Sequence, residues 1–238
     1  DGTAFTGNDV TYGGFVNSED KSVLGGSLIY GGNALNAVDA GEYTIAVSGL
    51  TSGNYAITFV DGTLTINRRA LTVTADAQSR IYGDANPVLT YSVGGLGLVK
   101  DDTLTGAPTT AATRTGKVGD YAIEQGSLAA SDNYDFHYVG AKLTVTPADL
   151  IVTYAAAPVS SIYGETPLLT GTVSGEGLKN GDVLDSVTSG AVAWASPGDA
   201  TSDVDRYAVT GSGLVPDSSN YRFAFVQDAA NATALTIT

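Results

Sequence analysis

The sequence predicts an all-β protein made of three tandem small antiparallel β domains, arranged end to end as a rod. Three observations carry this prediction. The same short phrases occur three times in the same order, apolar and polar residues alternate along them, and the 238 residues include 30 Gly and 13 Tyr. Alternation with period two is typical of strands with one buried face, and glycine-rich turns commonly separate such strands.

Each repeat contains three phrases in a fixed order. A Gly-x-Tyr phrase, which in the third repeat is the looser Asp-Arg-Tyr, comes first. An Asn-Tyr phrase follows, and a short closing phrase with alternating Leu, Thr and Ile or Val ends the unit. The phrases occupy residues 41–45, 54–59 and 63–66, then 119–123, 133–138 and 142–145, and finally 205–209, 220–225 and 234–237. Tandem units of roughly 80 residues predict an array with a mechanical or adhesive role, rather than a single catalytic body.

The repeats define three domains, 1–67, 68–147 and 148–238, of which the third carries insertions. Domains 2 and 3 also share an opening phrase and a Tyr-Gly phrase, at 71–75 and 81–87 and again at 150–154 and 162–167. Domain 1 has neither phrase complete, and its residues 1–3 align near 83–85. We therefore expect the first strand of domain 1 to be missing from this sequence and its sheet to expose an edge.

The fold of each domain follows from its alternating runs. In residues 55–59 every second side chain is apolar, which predicts a half-buried antiparallel strand, and the Asp-Gly pair at 61–62 predicts a tight hairpin after it. We expect an immunoglobulin-like sandwich without the Cys-Trp-Cys hallmark. The alternative is a β-grasp-like sheet over a short helix, for which one or two helical turns around 99–104 or 178–184 are the candidates.

The connections between domains are short. Residues 67–70 alone separate the last strand of domain 1 from the first strand of domain 2, and 146–149, which include a proline, do the same at the next boundary. Connections of this length predict stiff joints. The alternative is a short flexible hinge.

Composition excludes several classes of function. The net charge of −14 is spread over all three repeats, and such an acidic surface disfavours nucleic acid and anionic membranes as partners. Without cysteine the chain has no disulfide and no thiolate to attack a substrate or bind a metal. No apolar run is long enough to predict membrane insertion.

The phrases of domain 2 form a characteristic series: Leu-Thr-Val-Thr-Ala, Ile-Tyr-Gly-Asp-x-Asn-Pro, Gly-x-Tyr-x-Ile, Asn-Tyr and Leu-Thr-Val-Thr-Pro-Ala. This series resembles the MBG repeat modules of bacterial surface proteins, which are mostly β, glycine-rich and of the Tyr-Gly-x type. Domain 1 is similar to related modules that begin Tyr-Asp-Gly-Thr. The resemblance implies a large extracellular adhesin, secreted or surface-anchored, a class that includes filamentous-haemagglutinin-like proteins exported by two-partner secretion. Its repeats would form a stalk that holds a binding region away from the cell.

Residues for catalysis are scarce, and we predict no enzyme and no catalytic site. The single histidine, His137, falls on the polar face of its strand, and its counterparts in the other repeats are Thr58 and Ala224. Asp84 and Glu165 have no opposed carboxylate with which to form a glycosidase pair. The Gly-x-Gly-Leu segment at 95–98 lacks the following helix that a nucleotide loop needs.

Loop carboxylates are the candidates for ion binding. Aspartates are the hard oxygen ligands that calcium prefers, but they are also common turn and cap residues, and no EF-hand loop is present. The calcium candidates are Asp101, Asp102, Asp199, Asp203 and Asp205. No other cofactor is predicted.

Domain 3 is the candidate for binding. It contains the only tryptophan, Trp194, which would stack on a sugar if exposed and fill the core if buried. The expected partners are neighbouring repeats of the same protein, with surface glycan or another adhesin molecule as further candidates. The alternatives to a stalk are therefore an adhesion module that acts through the loops of domain 3, or homophilic association through an open sheet edge.

Overall fold

The secondary structure is almost entirely β. The computed structural model describes residues 4–5 and 9–238, so the alignment of residues 1–3 lies outside the described residues. In the described part, the only α-helix, α1, has four residues, Leu184–Val187, and 3-10 helices occur at Lys21–Val23 and Ala229–Thr233. The all-β prediction is confirmed. The predicted helical turns at 99–104 and 178–184 are loops, and α1 begins where the second of them ends.

Repeat 1 forms one sheet in the described residues. Its order is β1-β2-β3, and both pairs are antiparallel. The strands are β1 (Gly25–Gly32), β2 (Gly41–Thr51) and β3 (Gly62–Ile66).

Repeat 2 forms two sheets, with orders β6-β4-β9 and β5-β10-β8-β7. Its strands are β4 (Arg69–Ala75), β5 (Gln78–Ile81), β6 (Tyr91–Gly95), β7 (Thr109–Thr110), β8 (Gly119–Glu124), β9 (Tyr134–Val139) and β10 (Ala141–Thr146). The opening strand β4 lies between β6, to which it is antiparallel, and β9, to which it is parallel. The chain then crosses to the second sheet, where β5 pairs in parallel with β10.

Repeat 3 keeps this arrangement and adds short strands. Its sheets have the orders β13-β11-β19, β12-β20-β16, β14-β18 and β15-β17. Its strands are β11 (Ala148–Ala156), β12 (Val159–Ser161), β13 (Gly171–Glu176), β14 (Thr188–Ser189), β15 (Ala193–Ala195), β16 (Arg206–Tyr207), β17 (Thr210–Ser212), β18 (Val215–Pro216), β19 (Tyr221–Gln227) and β20 (Leu235–Ile237). The opening strand β11 again lies between an antiparallel and a parallel neighbour.

The opening strands supply the centre of each core. Leu71 and Val73 of β4 are almost completely buried and pack with Leu128 and Tyr134. In repeat 3, the buried side chains on β11 and those around β20 form two further clusters. Alternation places one face of these strands inward, which is why the buried residues stand at every second position.

Two sequence predictions in repeat 1 are wrong. Residues 55–60 belong to no strand or sheet of the described structure, and the Asp-Gly pair at 61–62 does not close a hairpin. The corresponding turn in repeat 2 explains why no hairpin forms. There β9 and β10 are consecutive in sequence but belong to different sheets. The turn therefore passes the chain from one sheet to the other, and a local turn signal does not report which partner each run takes.

The described residues fall into two compact units. Unit 1 contains everything described up to Asp76, together with Thr90–Thr109 and Glu124–Gly140. Unit 2 contains Ala77–Leu89, Thr110–Ile123 and Ala141–Thr238. The two sheets of repeat 2 thus belong mainly to different units, and the domain boundaries at 67/68 and 147/148 remain a prediction. None of the described helices has the length and apolar character needed to cross a membrane.

Candidate functional site

The tyrosine of the Gly-x-Tyr phrase forms a hydrogen bond that stabilises a turn in its own repeat. In each case the tyrosine hydroxyl donates to the backbone carbonyl four residues earlier, as in the tyrosine corner of β-sandwich domains. The bonds are Tyr43 to Asp39 at 2.9 Å, Tyr121 to Lys117 at 2.8 Å and Tyr207 to Asp203 at 2.8 Å. The first phrase of the repeat therefore has a structural role that is identical in all three copies.

The tyrosine of the Asn-Tyr phrase holds a loop of its own repeat. Tyr134 accepts a hydrogen bond from the backbone N–H of Val99 at 2.8 Å and donates to the Asp102 carboxylate at 2.6 Å. Between these two partners Lys100 has a left-handed backbone, with φ of 50°. The hydroxyl thus fixes both sides of a turn that the backbone alone would not favour.

Repeats 1 and 3 contain the same lock. Tyr221 accepts from the backbone N–H of Lys179 at 2.9 Å and donates to Asp182 at 2.7 Å. In repeat 1 the hydroxyl of Tyr55 accepts from the backbone N–H of Val16 at 3.3 Å and donates to the Glu19 carboxylate. We call this arrangement the tyrosine lock: one tyrosine hydroxyl, one backbone N–H and one carboxylate.

The locks shift the pKa of their tyrosines. Burial, followed by the hydrogen bond to Asp182, raises the pKa of Tyr221 to about 12. The same two causes, in the same order and with Asp102 as the carboxylate, raise the pKa of Tyr134. Both phenols are therefore neutral donors at physiological pH, as the lock requires.

The asparagine of the Asn-Tyr phrase joins its repeat to the preceding one. In unit 1, Asn133 Oδ1 accepts from the backbone N–H of Ala40 at 2.7 Å, and its Nδ2 donates to Asp39 Oδ1 at 2.8 Å. The backbone carbonyl of Asn133 accepts from the N–H of Arg69 at 2.8 Å, where β4 begins. One residue of repeat 2 thus holds both the corner of repeat 1 and the start of its own opening strand.

Unit 2 contains the equivalent joint between repeats 2 and 3. Asn220 Oδ1 accepts from the backbone N–H of Val118 at 3.0 Å, and its backbone carbonyl accepts from Ala148 at 3.0 Å, where β11 begins. Val118 precedes its Gly-x-Tyr phrase as Ala40 precedes the first one. The joint is therefore a repeated feature of the array.

The Tyr-Gly phrase of repeat 2 completes the joint in unit 2. Tyr82 is 5% exposed, packs edge-on against Tyr221 with ring centroids 5.5 Å apart, and donates to Asp182 at 3.1 Å. At Gly83 a Cβ atom would lie 2.5 Å from the Cβ of Lys179, so only glycine fits. The lock of repeat 3 and the Tyr-Gly phrase of repeat 2 therefore share one carboxylate.

The structure gives the carboxylates of three calcium candidates, Asp102, Asp199 and Asp205, other partners. Asp102 belongs to a tyrosine lock, Asp205 accepts from the backbone N–H of Arg206, and the exposed Asp203 supplies its carbonyl to Tyr207. Asp199 accepts from Thr201 and Ser202, and these hydrogen bonds, that of the Thr201 backbone first, lower the pKa of its carboxyl. Asp101 is exposed in its loop. Across the described residues, no three histidine or carboxylate side chains come together as a metal site would require, and calcium binding stays a prediction.

Trp194 packs inside repeat 3. It is half-buried, meets Tyr154 edge-on with centroids 6.2 Å apart, and its ring lies over Gly171 and Gly211, where a Cβ would come within 2.4 Å and 2.8 Å of ring carbons. These are the contacts of a core residue, and binding of a glycan at Trp194 stays a prediction. His137 is exposed on β9.

The joint residues were not identified from the sequence as functional. Asn133, Asn220 and Tyr82 entered the argument only as markers of the repeat. The sequence did contain a signal for these residues. An asparagine precedes each of the three lock tyrosines, although the alternating pattern of a half-buried strand requires only the tyrosine. A polar residue repeated beside a strand, with no partner in its own phrase, indicates a contact elsewhere.

Comparison with known proteins gives one result. The MBG domain (YGX type) matches the chain three times in tandem, at residues 2–65, 71–144 and 152–230. The matches cover most of the chain and confirm both the resemblance and the tandem β repeats. This domain is a structural, adhesin-type module, not a known enzyme family, and it typically occurs in surface or secreted proteins. Neither curated proteins nor solved structures give a match.

Proposed function

Because the chain belongs to the MBG domain family of the Tyr-Gly-x type, we propose that it is part of the stalk of a large bacterial adhesin. In this role the repeats lie end to end outside the cell and hold a binding region away from its surface. The observation that carries the proposal is the repeated joint, in which Asn133 and Asn220 make the same backbone contacts one repeat apart. A stalk needs stiffness between its modules, and these contacts are of the kind that supply it.

The joints support stiffness because they use backbone groups. A side-chain amide that bonds to a backbone N–H leaves fewer rotatable groups between the joined parts than a contact between two long side chains. Each such hydrogen bond contributes about 0.5–1.5 kcal/mol, and several act together at one joint. The connecting chain is also very short, since β3 ends at Ile66 and β4 begins at Arg69, while Pro147 alone separates β10 from β11.

The partners in this proposal are further modules of the same family. Tyr163 and Gly164 are the counterparts of Tyr82 and Gly83, but Tyr163 is 60% exposed and a Cβ at Gly164 would have open space. The Tyr-Gly phrase of repeat 3 therefore offers a following module the surface that repeat 2 offers to repeat 3.

Small-angle scattering of the chain tests the proposal. A compact globule of this length has a radius of gyration of about 18 Å, whereas three modules in line give more than about 28 Å. A value near the larger figure supports the stalk, and a value near the smaller one rules it out. The same measurement with calcium and with a chelator tests the predicted calcium sites, since calcium at a joint would lengthen the particle.

Two double variants test whether the joint contacts make the array stiff, which the radius of gyration alone does not show. Tyr82→Ala with Asn220→Ala removes the joint contacts in unit 2, and we expect a broader distribution of distances between spin labels placed in repeats 2 and 3. The matched control, Tyr163→Ala with Asn54→Ala, changes the exposed counterparts and is expected to leave that distribution unchanged. Equal distributions for both variants would show that these contacts do not stiffen the array.

A further inference from the structure

The last strand of repeat 2 and the last strand of repeat 3 each have a parallel neighbour. In repeat 2 the closing strand β10 pairs in parallel with β5 over four residues, and in repeat 3 the closing strand β20 pairs in parallel with β12 over three. The strands β5 and β12 each follow directly after the opening strand of their repeat. Both pairs belong to unit 2. A segment near the start of the repeat thus lies beside the segment that ends it.

The same two hydrogen bonds extend both pairs beyond the strand ends. The tyrosine of the Tyr-Gly phrase donates its backbone N–H to the carbonyl of the closing threonine, and the hydroxyl of that threonine donates to the carbonyl two residues before the tyrosine. The bonds are Tyr82 to Thr146 at 2.8 Å, Thr146 to Arg80 at 3.2 Å, Tyr163 to Thr238 at 2.9 Å and Thr238 to Ser161 at 3.3 Å. We call the parallel pair together with these two bonds the terminal clasp.

Buried side chains anchor the closing strand of each terminal clasp. Leu143 and Val145 of β10 are 0% and 1% exposed, and Leu235 and Ile237 of β20 have the same values. Val159 of β12 packs against the cluster that contains the two buried residues of β20. A closing strand that slides by one residue would turn its apolar side chains out of the core. Sliding is therefore opposed by the core as well as by the backbone hydrogen bonds.

Parallel pairing determines how tension along the chain acts on the terminal clasp. Tension pulls the earlier strand at its N-terminal end and the closing strand at its C-terminal end. In a parallel pair these two points lie at opposite ends of the ladder, so the strands are drawn past one another and their hydrogen bonds are strained together. In an antiparallel pair the same two points lie side by side, and the bonds would open one after another.

We propose that the terminal clasp is the element that keeps repeats 2 and 3 folded when the chain is under tension. The inference rests on the proposed stalk, because a stalk that is attached at both ends is pulled along its length. It adds a mechanical activity that stiffness does not supply, since a joint can stay rigid while the module beside it unravels. The Tyr-Gly phrase of repeat 2 then has two roles. The ring of Tyr82 forms the joint with repeat 3, and its backbone closes the terminal clasp.

Single-molecule force spectroscopy of the whole chain with two attachment geometries tests the terminal clasp of repeat 3. One handle is fixed at the C-terminal end, after Thr238. The other is attached through a single introduced cysteine, in Ala157→Cys just before β12 or in Ile162→Cys just after it. Both positions are exposed, and the chain has no cysteine of its own. Pulling from position 157 shears β12 along β20, whereas pulling from position 162 peels the same pair apart from one end.

Forced unfolding reports the barrier to unfolding, so the two geometries are compared at one pulling speed. We expect the unfolding force of repeat 3 to be at least about twofold higher from position 157 than from position 162, because shear strains the hydrogen bonds together. The contacts in the folded state and the length of chain between the handles are nearly the same in both cases, so only the direction of the force differs. Equal forces, or a higher force from position 162, overturn the proposal.

Two proline variants test whether the ladder itself supplies the resistance. Val159 donates its backbone N–H to the carbonyl of Ala234 at 2.8 Å, and Val159→Pro removes this donor. The N–H of the next residue, Ser160, points to the other side of β12, which is the outer strand of its sheet. Ser160→Pro is therefore the matched control. From position 157 we expect a clearly lower unfolding force in Val159→Pro and an unchanged force in Ser160→Pro. An equal loss in both variants contradicts the proposal.

Denaturant titration of both proline variants shows whether repeat 3 keeps its fold. If Val159→Pro does not fold, the comparison of the two attachment points decides alone, because it leaves the terminal clasp intact. The force measurements are also independent of the scattering result. A compact particle would rule out the stalk without changing the difference between positions 157 and 162, whereas equal forces in an extended particle would overturn the terminal clasp and leave the stalk in place.

Discussion

Asn133 Oδ1 accepts a hydrogen bond from the backbone N–H of Ala40, 93 residues earlier in the chain, at 2.7 Å. The other side of the same amide donates to Asp39, whose carbonyl also receives the hydroxyl of Tyr43. The tyrosine corner of repeat 1 and the joint to repeat 2 are therefore one hydrogen-bond network. The network connects the Gly-x-Tyr phrase of repeat 1 with the Asn-Tyr phrase of repeat 2, which gives a structural reason for both phrases to recur.

Replacement of the joint asparagine should destabilise unit 1. In Asn133→Ala the backbone N–H of the half-buried Ala40 loses its acceptor, and an unsatisfied buried donor costs about 1–3 kcal/mol. We expect a loss of about 1 kcal/mol in the free energy of unfolding, measured by denaturant titration with probes in repeat 1. The matched control is Asn54→Ala, since Asn54 is the exposed counterpart in repeat 1. A similar loss in both variants would show that the asparagine acts inside its own repeat.

The tyrosine lock can be tested with two tyrosines of the same strand. Tyr134→Phe removes the acceptor of the Val99 N–H and the donor to Asp102, so the free energy of unfolding should fall by about 1–3 kcal/mol. Tyr138 has a buried hydroxyl with no hydrogen-bond partner in the described structure. Tyr138→Phe should therefore leave stability unchanged or raise it, as measured in the same titration. An equal loss in both variants would indicate that packing, and not the lock, determines the effect.

Much of this arrangement could be predicted from the sequence. Alternation in the Asn-Tyr phrase correctly predicted a strand with Tyr134 inward and His137 outward in repeat 2. It failed in repeat 1 because a strand also needs a neighbour, and residues 55–60 have none in the described structure. Propensity describes what a segment can do, while pairing depends on chain that is distant in sequence.

The role of Asp102 shows a second limit. A carboxylate in a loop is equally suited to coordinate calcium or to accept a hydrogen bond, so the sequence left both open. Its acceptor role depends on Tyr134, 32 residues away, and no local pattern connects the two. The equivalence of Asp102, Asp182 and Glu19 appears only when the three tyrosine hydroxyls are traced to their partners.

The packing of Trp194 predicts the effect of adding one methyl group. In Gly211→Ala the new Cβ would lie 2.5 Å from the ring of Tyr154 and 2.8 Å from that of Trp194, so the rings must move apart. We expect a loss of about 1–3 kcal/mol in stability and a red shift of tryptophan fluorescence as solvent reaches the indole. Gly53→Ala is the control, because a Cβ there meets nothing within 4 Å. Unchanged fluorescence in Gly211→Ala would mean that Trp194 is not held by this contact.

Alkaline pH should release the lock of repeat 3. Burial and the bond to Asp182 raise the pKa of Tyr221 from the model-compound value of 10.0 to about 12. A group whose pKa is higher in the folded state stabilises fully below its unfolded pKa and loses that contribution as the pH rises through its folded pKa. The contribution of this lock to the stability of unit 2 should therefore be complete below about pH 10 and be lost between there and about pH 12.

The measurement that checks this prediction is denaturant unfolding across that pH range, together with the ultraviolet absorbance of tyrosinate. Ionised Tyr221 could no longer donate to Asp182, and the two negative charges would repel each other, so the loop that contains Lys179 should open in the same pH range. Tyr221→Phe removes the titrating hydroxyl and should flatten the pH dependence, at the cost of lower stability at neutral pH. A variant that keeps the full alkaline transition would show that the transition does not depend on Tyr221.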